Sequence, residues 1–410
     1  MSTSLDTLPQ GAIASRPKKG MKLAALDLRS FGFVSDIAGA DGRAGYNDTR
    51  DVLLTQTIDG FDLNDLYSEF QDVVNEMNRS RQVIVDFLTF SVTNPSEQVQ
   101  QLSSFDFERS TEYGEPRGQR QSPGKFTLGY DFDFYDLGLR FTWRFLAEST
   151  AAQIQAFNNG ILDADNRLVF TKVLEALYTN TNRLADINGR DVNVYSLYNA
   201  DGTVPPAVKS NTFDGQHTHY MVSGGATVTP EDLDDIYENV AEHGYTAASG
   251  TVHVLLVHSR EGKVISTFRM SNGATYDFIP AQGQPIDRIL ELGQSLAGAQ
   301  PAATYAGLDV IGKYGNLLIV QDDLFPAGYI ADVATGGRAN LNNPVGIREH
   351  ENASLRGLKL IKGRDNSYPL IDSFYNRGIG TGIRQRGGAA IMQIKASGAY
   401  VPPAAYVAYQ

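Results

Sequence analysis

The chain has 410 residues, 42% of them hydrophobic and 20% charged, with a formal net charge of −12 and no cysteine. That length allows two cores or one elongated body, and that composition buries enough apolar surface to fold. The negative charge argues against a protein whose main task is gripping nucleic acid, and the missing cysteines exclude disulfides, zinc–cysteine sites and thiol nucleophiles.

Met1 to Gln10 is polar, without the apolar core of a secretion signal, and no run approaches the ~20 apolar residues that cross a bilayer. The expectation is a protein made and used in a cytoplasm. As far as about Arg50 the sequence stays polar and glycine-bearing, with a basic group at Arg16, Lys18, Lys19 and Lys22, and reads as a terminal arm. From Asp59 to Asn78, Phe61, Leu63, Leu66, Phe70, Val73, Val74 and Met77 fall near three-and-four spacing, which predicts a helix.

Gln82 to Thr93 is rich in β-branched and aromatic residues and predicts a strand. Phe126 to Phe134 alternates, with Phe126, Leu128, Tyr130, Phe132 and Phe134 on one side. A second alternating run sets Leu139, Phe141, Trp143 and Phe145 on one face. Between these arms lies Ser110 to Gly124, full of Gly, Pro and charge, as an exposed tip requires. The whole predicts a long two-armed β excursion. An isolated two-stranded ribbon is marginal in water, so one this apolar is expected to lie on another molecule. A hairpin within an ordinary sheet is the alternative.

Glu148 to Asn180 turns to helical spacing, with Ser149 or Thr150 as cap and Gly160, Asn158 and Asn159 marking a point of kinking or division. After Pro205 and Pro206, Thr229-Pro230-Glu231-Asp232 opens another helix: a cap, a proline at the first position and acids near the positive dipole end. Leu233, Ile236, Tyr237 and Val240 form its buried face and Gly244 ends it. Thr251 to Val257 is a nearly continuous apolar run, as in a strand covered on both faces. Ser259 is the expected cap of a helix through Phe268. A short helix near Pro285 to Leu296 and a strand near Leu317 to Val320 follow. Ala389 to Ile394 and Tyr400 to Tyr409 read as strands.

This order of parts resembles the major capsid proteins of tailed bacteriophages with the Hong Kong 97 fold. Three stretches carry the likeness: LRFTWRFLAESTAAQIQAFNNGILDADNRLVFTKVLEALYTN, TPEDLDDIYENV followed by VHVLLVHS, and RGGAAIMQIKASGAYVPPAAY, which is similar to the end of capsid proteins from phages of actinobacteria. The likeness covers roughly Ser80 to Gln410. It implies an α+β chain with an N-terminal arm (1–79), a long extended β-hairpin loop (80–145), the first part of a peripheral domain with its spine helix (146–228), an axial domain (229–364) and a peripheral return (365–410). It implies self-assembly through hexamers and pentamers into an icosahedral shell around double-stranded DNA that is held only loosely. The expected partners are a separate scaffolding protein (the arm being short and keeping Met1), a portal and a decoration protein, with no membrane and a place in the virion. An encapsulin-type compartment keeps the fold and changes the job. A cytoplasmic α/β enzyme with a β-rich appendage is the reading from a different class.

No catalytic residue, cofactor or metal is assigned. His217-Thr-His219 on a strand would put two imidazoles on one face, as a metal site uses, but no third and fourth ligand stands nearby in sequence, and His243, His253, His258 and His350 read as ordinary histidines. Gly378-Ile-Gly380-Thr-Gly382 lacks the Lys-Ser/Thr of a phosphate loop and reads as a flexible turn. Asp131 and Asp133 read as solvating residues rather than paired catalytic acids, and Asp322-Asp323 as an exposed acidic pair. Some members of the resembled family weld subunits by a lysine-to-asparagine isopeptide bond, helped by a buried glutamate. The candidates are Lys125 beside the hairpin tip and Asn366 or Asn376 in the return. No glutamate follows Glu351 to act as base, and a soluble edge lysine is the other reading of Lys125.

Overall fold

The computed structural model describes residues 56–79, 82–100, 109–110, 112, 114, 125–187, 189–203, 205, 217–283, 299–362 and 370–404. The basic group of the arm, most of the hairpin tip, the helix expected near Pro285 to Leu296, and Asn366 lie outside the described residues. The chain divides into two units. Unit 1 is Met1–Arg79, Asp136–Ala164 and Leu358–Asn376; unit 2 is Ser80–Tyr135, Asp165–Gly357 and Arg377–Gln410.

In chain order the first elements are α1 (Leu63–Arg79), α2 (Val83–Leu88), β1 (Thr89–Val92), β2 (Ser96–Gln100), β3 (Lys125–Gly129) and β4 (Asp133–Thr142). Next come α3 (Trp143–Glu148), α4 (Ala151–Tyr178), β5 (Arg183–Asp186), β6 (Asp191–Val194), β7 (Tyr220–Val222) and α5 (Pro230–Ala241). The chain continues with β8 (Val252–Val257), α6 (Ser259–Ile265), β9 (Phe278–Pro280), β10 (Thr304–Tyr305), β11 (Leu308–Asp309) and β12 (Gly312–Tyr314). It closes with β13 (Leu317–Gln321), β14 (Tyr329–Thr335), β15 (Val345–Arg348), β16 (Leu358–Lys362), β17 (Leu370–Ile383) and β18 (Ala389–Gln393). Among the described residues no helix is long and apolar enough to cross a membrane.

In unit 1 the expected helix is α1, and its buried stripe is narrower than its apolar sequence: Leu63, Leu66 and Val74 are buried while Phe61 and Val73 stay exposed. Leu63 and Leu66 pack with Leu146, Ala151 and Ile154, and Val74 packs with Ile161, Leu358 and Tyr375. The second alternating run ends earlier than its pattern predicts. Strand β4 stops at Thr142, whose hydroxyl accepts from the Phe145 backbone N–H at 3.1 Å and caps α3, so Trp143 and Phe145 are helical. Thr150 begins α4 with a reciprocal cap: its Oγ1 accepts from Gln153 N–H at 3.3 Å, and Gln153 Oε1 accepts from Thr150 N–H at 2.9 Å. Helix α4 then runs 28 residues unbroken. Asn158 is buried there with its Oδ1 accepting from the Tyr375 hydroxyl at 2.7 Å, and Gly160 does not divide the helix.

Unit 2 is built on a seven-stranded sheet in the order β7-β18-β14-β8-β13-β12-β9. Strand β8 pairs parallel with β13 and antiparallel with β14, so it sits at the centre. Its side chains alternate between two filled faces. Val254 and Leu256 join Phe170, Leu174 and Leu177 of α4, while Leu255 and Val257 join Leu233, Ile236 and Val240 of α5. At about 1.5–3 kcal/mol per fully buried aliphatic side chain, this two-faced core is the largest source of stability in the unit. Thr229 caps α5 in a capping box with Asp232, and Gly244 turns the chain out of it at φ +88°. Helix α6 is capped by the His258 imidazole rather than by Ser259, and stops at Ile265.

Gln82 to Thr93 is not one strand. Val83–Leu88 forms helix α2, burying Val85, Phe87 and Leu88, and only Thr89–Val92 extends, parallel to β15. The turn between them is held by Asn343, wholly buried, whose Nδ2 contacts the carbonyls of Asp86 and Thr89 at 3.1 and 2.8 Å. Tertiary contacts thus override the β-propensity of the run. Tyr400 likewise packs by its side chain, its hydroxyl donating to Tyr178 O at 2.8 Å, and no described residue beyond it joins a strand.

Candidate functional site

The hairpin is real but its first arm is β2, which pairs antiparallel with β3 over Ser96–Gln100 and Lys125–Gly129. Its root is satisfied within the chain. Leu128 is buried against Tyr195 and Val99, and Tyr130 is wholly buried, its hydroxyl donating to Glu97 at 3.4 Å. Glu97 in turn pairs with Arg384 at 2.8 Å. The ribbon is expected to lie on another molecule, but its root packs on unit 2 itself.

Gly378-Ile-Gly380-Thr-Gly382 is no turn. It lies inside β17, and each glycine faces the segment that leaves β3. A Cβ at Gly380 would overlap the Asp131 carbonyl, one at Gly382 would meet the Tyr130 ring and Gly129 O, and one at Gly378 the Phe132 and Phe134 rings. Glycine stands where two stretches of backbone approach closely. Asp131 is not merely solvating: it pairs with Arg183 at 2.6 Å, accepts from the Thr381 backbone N–H, and so ties the hairpin root to β17. Asp133 is exposed.

Of the crosslink candidates, Lys125 is the first residue of β3, opposite Gln100. Asn376, in unit 1, is half-buried in β17, and its carboxamide donates to the Asp136 carboxylate. A carboxylate thus stands beside this candidate amide, from a position earlier in the chain.

The histidines hold the main surprise. His217 and His219 lie just before β7, not on it, and His243 follows the C-terminal end of α5 beside them. The three ring centroids are 4.8–5.1 Å apart, and one ligand atom from each ring falls within 4.8 Å of the others. His219 is wholly buried, with Nδ1 donating to Ala389 O at 2.8 Å. Burial, then the neighbouring His243 and His217, push its imidazole well below the ordinary value. Sequence spacing missed His243 as the third ligand because only folding brings the end of α5 to the His-Thr-His segment. A histidine directly before the glycine expected to end the helix is its trace in the sequence.

Deeper in the same sheet, His253 donates from Nδ1 to Asp332 and from Nε2 to Tyr245 O, both at 2.7 Å. Arg386 is buried with Asp201 at 2.6 Å and lies over the rings of Tyr195 and Tyr198. The first pair is buried, and in the second Asp201 reaches the surface while Arg386 does not.

No family model matches the chain, and no curated protein matches it. Among solved structures it is similar to one from Mycobacterium phage Patience, at 45% identity and a TM-score of 0.69, the match covering 89% of this chain and 97% of that one. It is also similar to the mature capsid of bacteriophage PhiM1, at 10% identity and a TM-score of 0.49 over 78% and 89%. The encapsulin from Synechococcus elongatus PCC 7942 gives 10% identity and a TM-score of 0.42 over 81% and 98%. A described hairpin, a long unbroken helix and a two-faced mixed sheet in this order, with 45% identity along nearly the whole of a phage relative, make the chain a member of the major capsid proteins of tailed bacteriophages with the Hong Kong 97 fold.

Proposed function

We propose that the chain forms the icosahedral head shell of a tailed phage, with its genome inside, by self-association. The observation that carries this is the 45% identity over 97% of the phage relative. The unit 1 surface supports it, since Ile58, Phe61 and Phe157 are left 66%, 56% and 47% exposed. Apolar surface of that kind marks contact sites with other proteins. The protein is a structural component of the virion rather than an enzyme. Assembly in the bacterial cytoplasm through hexamers and pentamers, with a separate scaffolding protein, a portal and a decoration protein, is the course the family implies.

In this reading the family's parts fall as follows: arm 1–79, extended loop 80–145, spine-helix part 146–228, axial domain 229–364 and return 365–410. The packaged DNA meets a chain of net charge −12 and is held loosely, mainly through Arg16, Lys18, Lys19 and Lys22. The weld, where made, joins Lys125 of one subunit to Asn376 or Asn366 of another. The lysine amine attacks the side-chain carbonyl carbon, the new amide forms, and ammonia leaves. The Asp136 carboxylate beside Asn376 supports a base for that step.

Two experiments test the reading. Expression of the chain with its scaffolding partner should give closed particles by negative-stain microscopy, and deletion of Glu112 to Ser122 should leave soluble subunits that do not close. Only monomers or small oligomers from the intact chain would overturn the shell. Boiling particles in detergent tests the weld: a high-mass ladder lost in Lys125→Ala supports it, and a single band at monomer mass removes it.

A further inference from the structure

Three histidines from two separate segments converge beside the C-terminal end of α5. We propose that His217, His219 and His243, with Glu242 as the fourth ligand, bind a divalent transition-metal ion of the zinc class. The geometry is close to what such an ion needs. A tetrahedral ion with ligand bonds of about 2.0–2.2 Å holds its ligand atoms about 3.3–3.6 Å apart. Glu242 Oε1 already lies 3.2 Å from His217 Nδ1 and 3.6 Å from His243 Nε2, bracketing that separation. The three imidazole ligand atoms lie within 4.8 Å of one another, and side-chain rotations would close them to that separation.

The surroundings orient the ligands. A carbonyl only accepts, so the 2.8 Å bond to Ala389 O fixes the proton of His219 on Nδ1 and leaves Nε2 as the electron-pair donor. This is the outer-shell arrangement that metal-binding histidines adopt. Glu242 is the C-cap of α5, and the negative end of a helix dipole favours a cation there. Imidazole nitrogens with one carboxylate suit zinc, cobalt, nickel or copper rather than calcium or magnesium. The ion would tie the segment entering β7 to the end of α5 and, through Ala389, to the start of β18. In a chain without cysteine this is a staple available from nitrogen and oxygen alone.

The test uses the full-length chain without a histidine tag, stripped with chelator and titrated with Zn²⁺ alone by calorimetry and with Co²⁺ alone by visible absorption. The expected result is about one ion per chain and an intense tetrahedral cobalt band. His217→Gln and His243→Gln should each weaken binding at least ~tenfold while the metal-free circular dichroism is unchanged. X-ray absorption of the zinc-loaded wild type needs no variant to fold, and should show imidazole scattering from the zinc neighbours. No saturable binding, equal binding by wild type and both variants, or an oxygen-only zinc shell would each overturn the site.

Discussion

The two units bury apolar surface by different means. In unit 2, β8 sends Val254 and Leu256 to one filled face and Leu255 and Val257 to the other, so the sheet is closed on both sides by the chain's own helices. In unit 1 the buried groups are small and separate. One gathers around Leu63, Leu66 and Leu146, the other around Val74, Ile161 and Tyr375, while Phe61, Val73, Leu137 and Phe157 remain exposed. A shell subunit needs one part that folds without help and another whose apolar surface is completed by neighbours. Unit 2 also leaves apolar side chains exposed, Phe134, Leu184 and Leu341 among them, so the contrast lies in the cores: in the proposed shell unit 2 has the core to fold without help, and unit 1 is the part that neighbours would complete.

The largest expected effect follows from putting a charge into the closed core. Leu174 is wholly buried in unit 2, and Leu174→Asp should cost several kcal/mol, enough to abolish soluble subunits. Soluble, assembly-competent Leu174→Asp protein would break the picture of a sealed core. A milder insult to unit 1 sharpens it. Leu66→Ala, in a cluster of few members, should cost about 2–3 kcal/mol, at the low end for buried leucine. Hydrogen exchange should show that loss in α1 and the start of α4, with the seven-stranded sheet still protected. Equal loss across that sheet would mean that the two units unfold as one.

A smaller effect comes from pH and belongs to unit 2. Both ring nitrogens of His253 donate, to Asp332 and to Tyr245 O, so the fold selects the imidazolium. Burial alone would lower its pKa, but the Asp332 charge and these two bonds outweigh that and raise it above the ordinary 6.5. A pKa raised by folding stabilises the native state fully below the unfolded value, and the contribution is lost as pH rises through the folded one. The melting temperature of chelator-treated protein should therefore fall as pH climbs from about 6.5 into the alkaline range. His253→Gln should flatten that slope, and an unchanged slope in the variant would assign it to other groups.

How legible each part was depends on whether its signal is local. The start of helix α5 was readable to the residue, because Thr229, Pro230 and Asp232 each act on their own backbone, while its end at Ala241 falls short of the expected Gly244. Strand β8 was readable because an unbroken apolar run so short fits a strand covered on both sides. The run Val83–Leu88 was not, since six apolar-rich residues fit either period and Asn343, far along the chain, decides. The glycines of β17 misled for the same reason: their cause is the Asp131 backbone across the sheet, not a local turn. Of the candidate metal site, the sequence offered His217 and His219, while His243 and Glu242 required the fold.

The smallest effect on folding should come with a large effect on assembly, at Phe157. Its ring packs edge-on against Phe141 and Phe145 at 5.8 and 5.6 Å, yet the residue is 47% exposed on α4. Edge-to-face pairs are worth about 0.5–1.5 kcal/mol, and at so exposed a site Phe157→Gln should cost the lower part of that range. Were the ring only a solvent-facing ornament of unit 1, particle yield would follow that small loss and hardly change. If a neighbouring subunit covers it, removing it takes away apolar contact area at every copy of the interface, and closed particles should become scarce while the subunit melts normally. Melting temperature measured beside particle yield separates the two. Normal yield with a normal melt would remove Phe157 from the assembly surface and weaken the division of duties between the units.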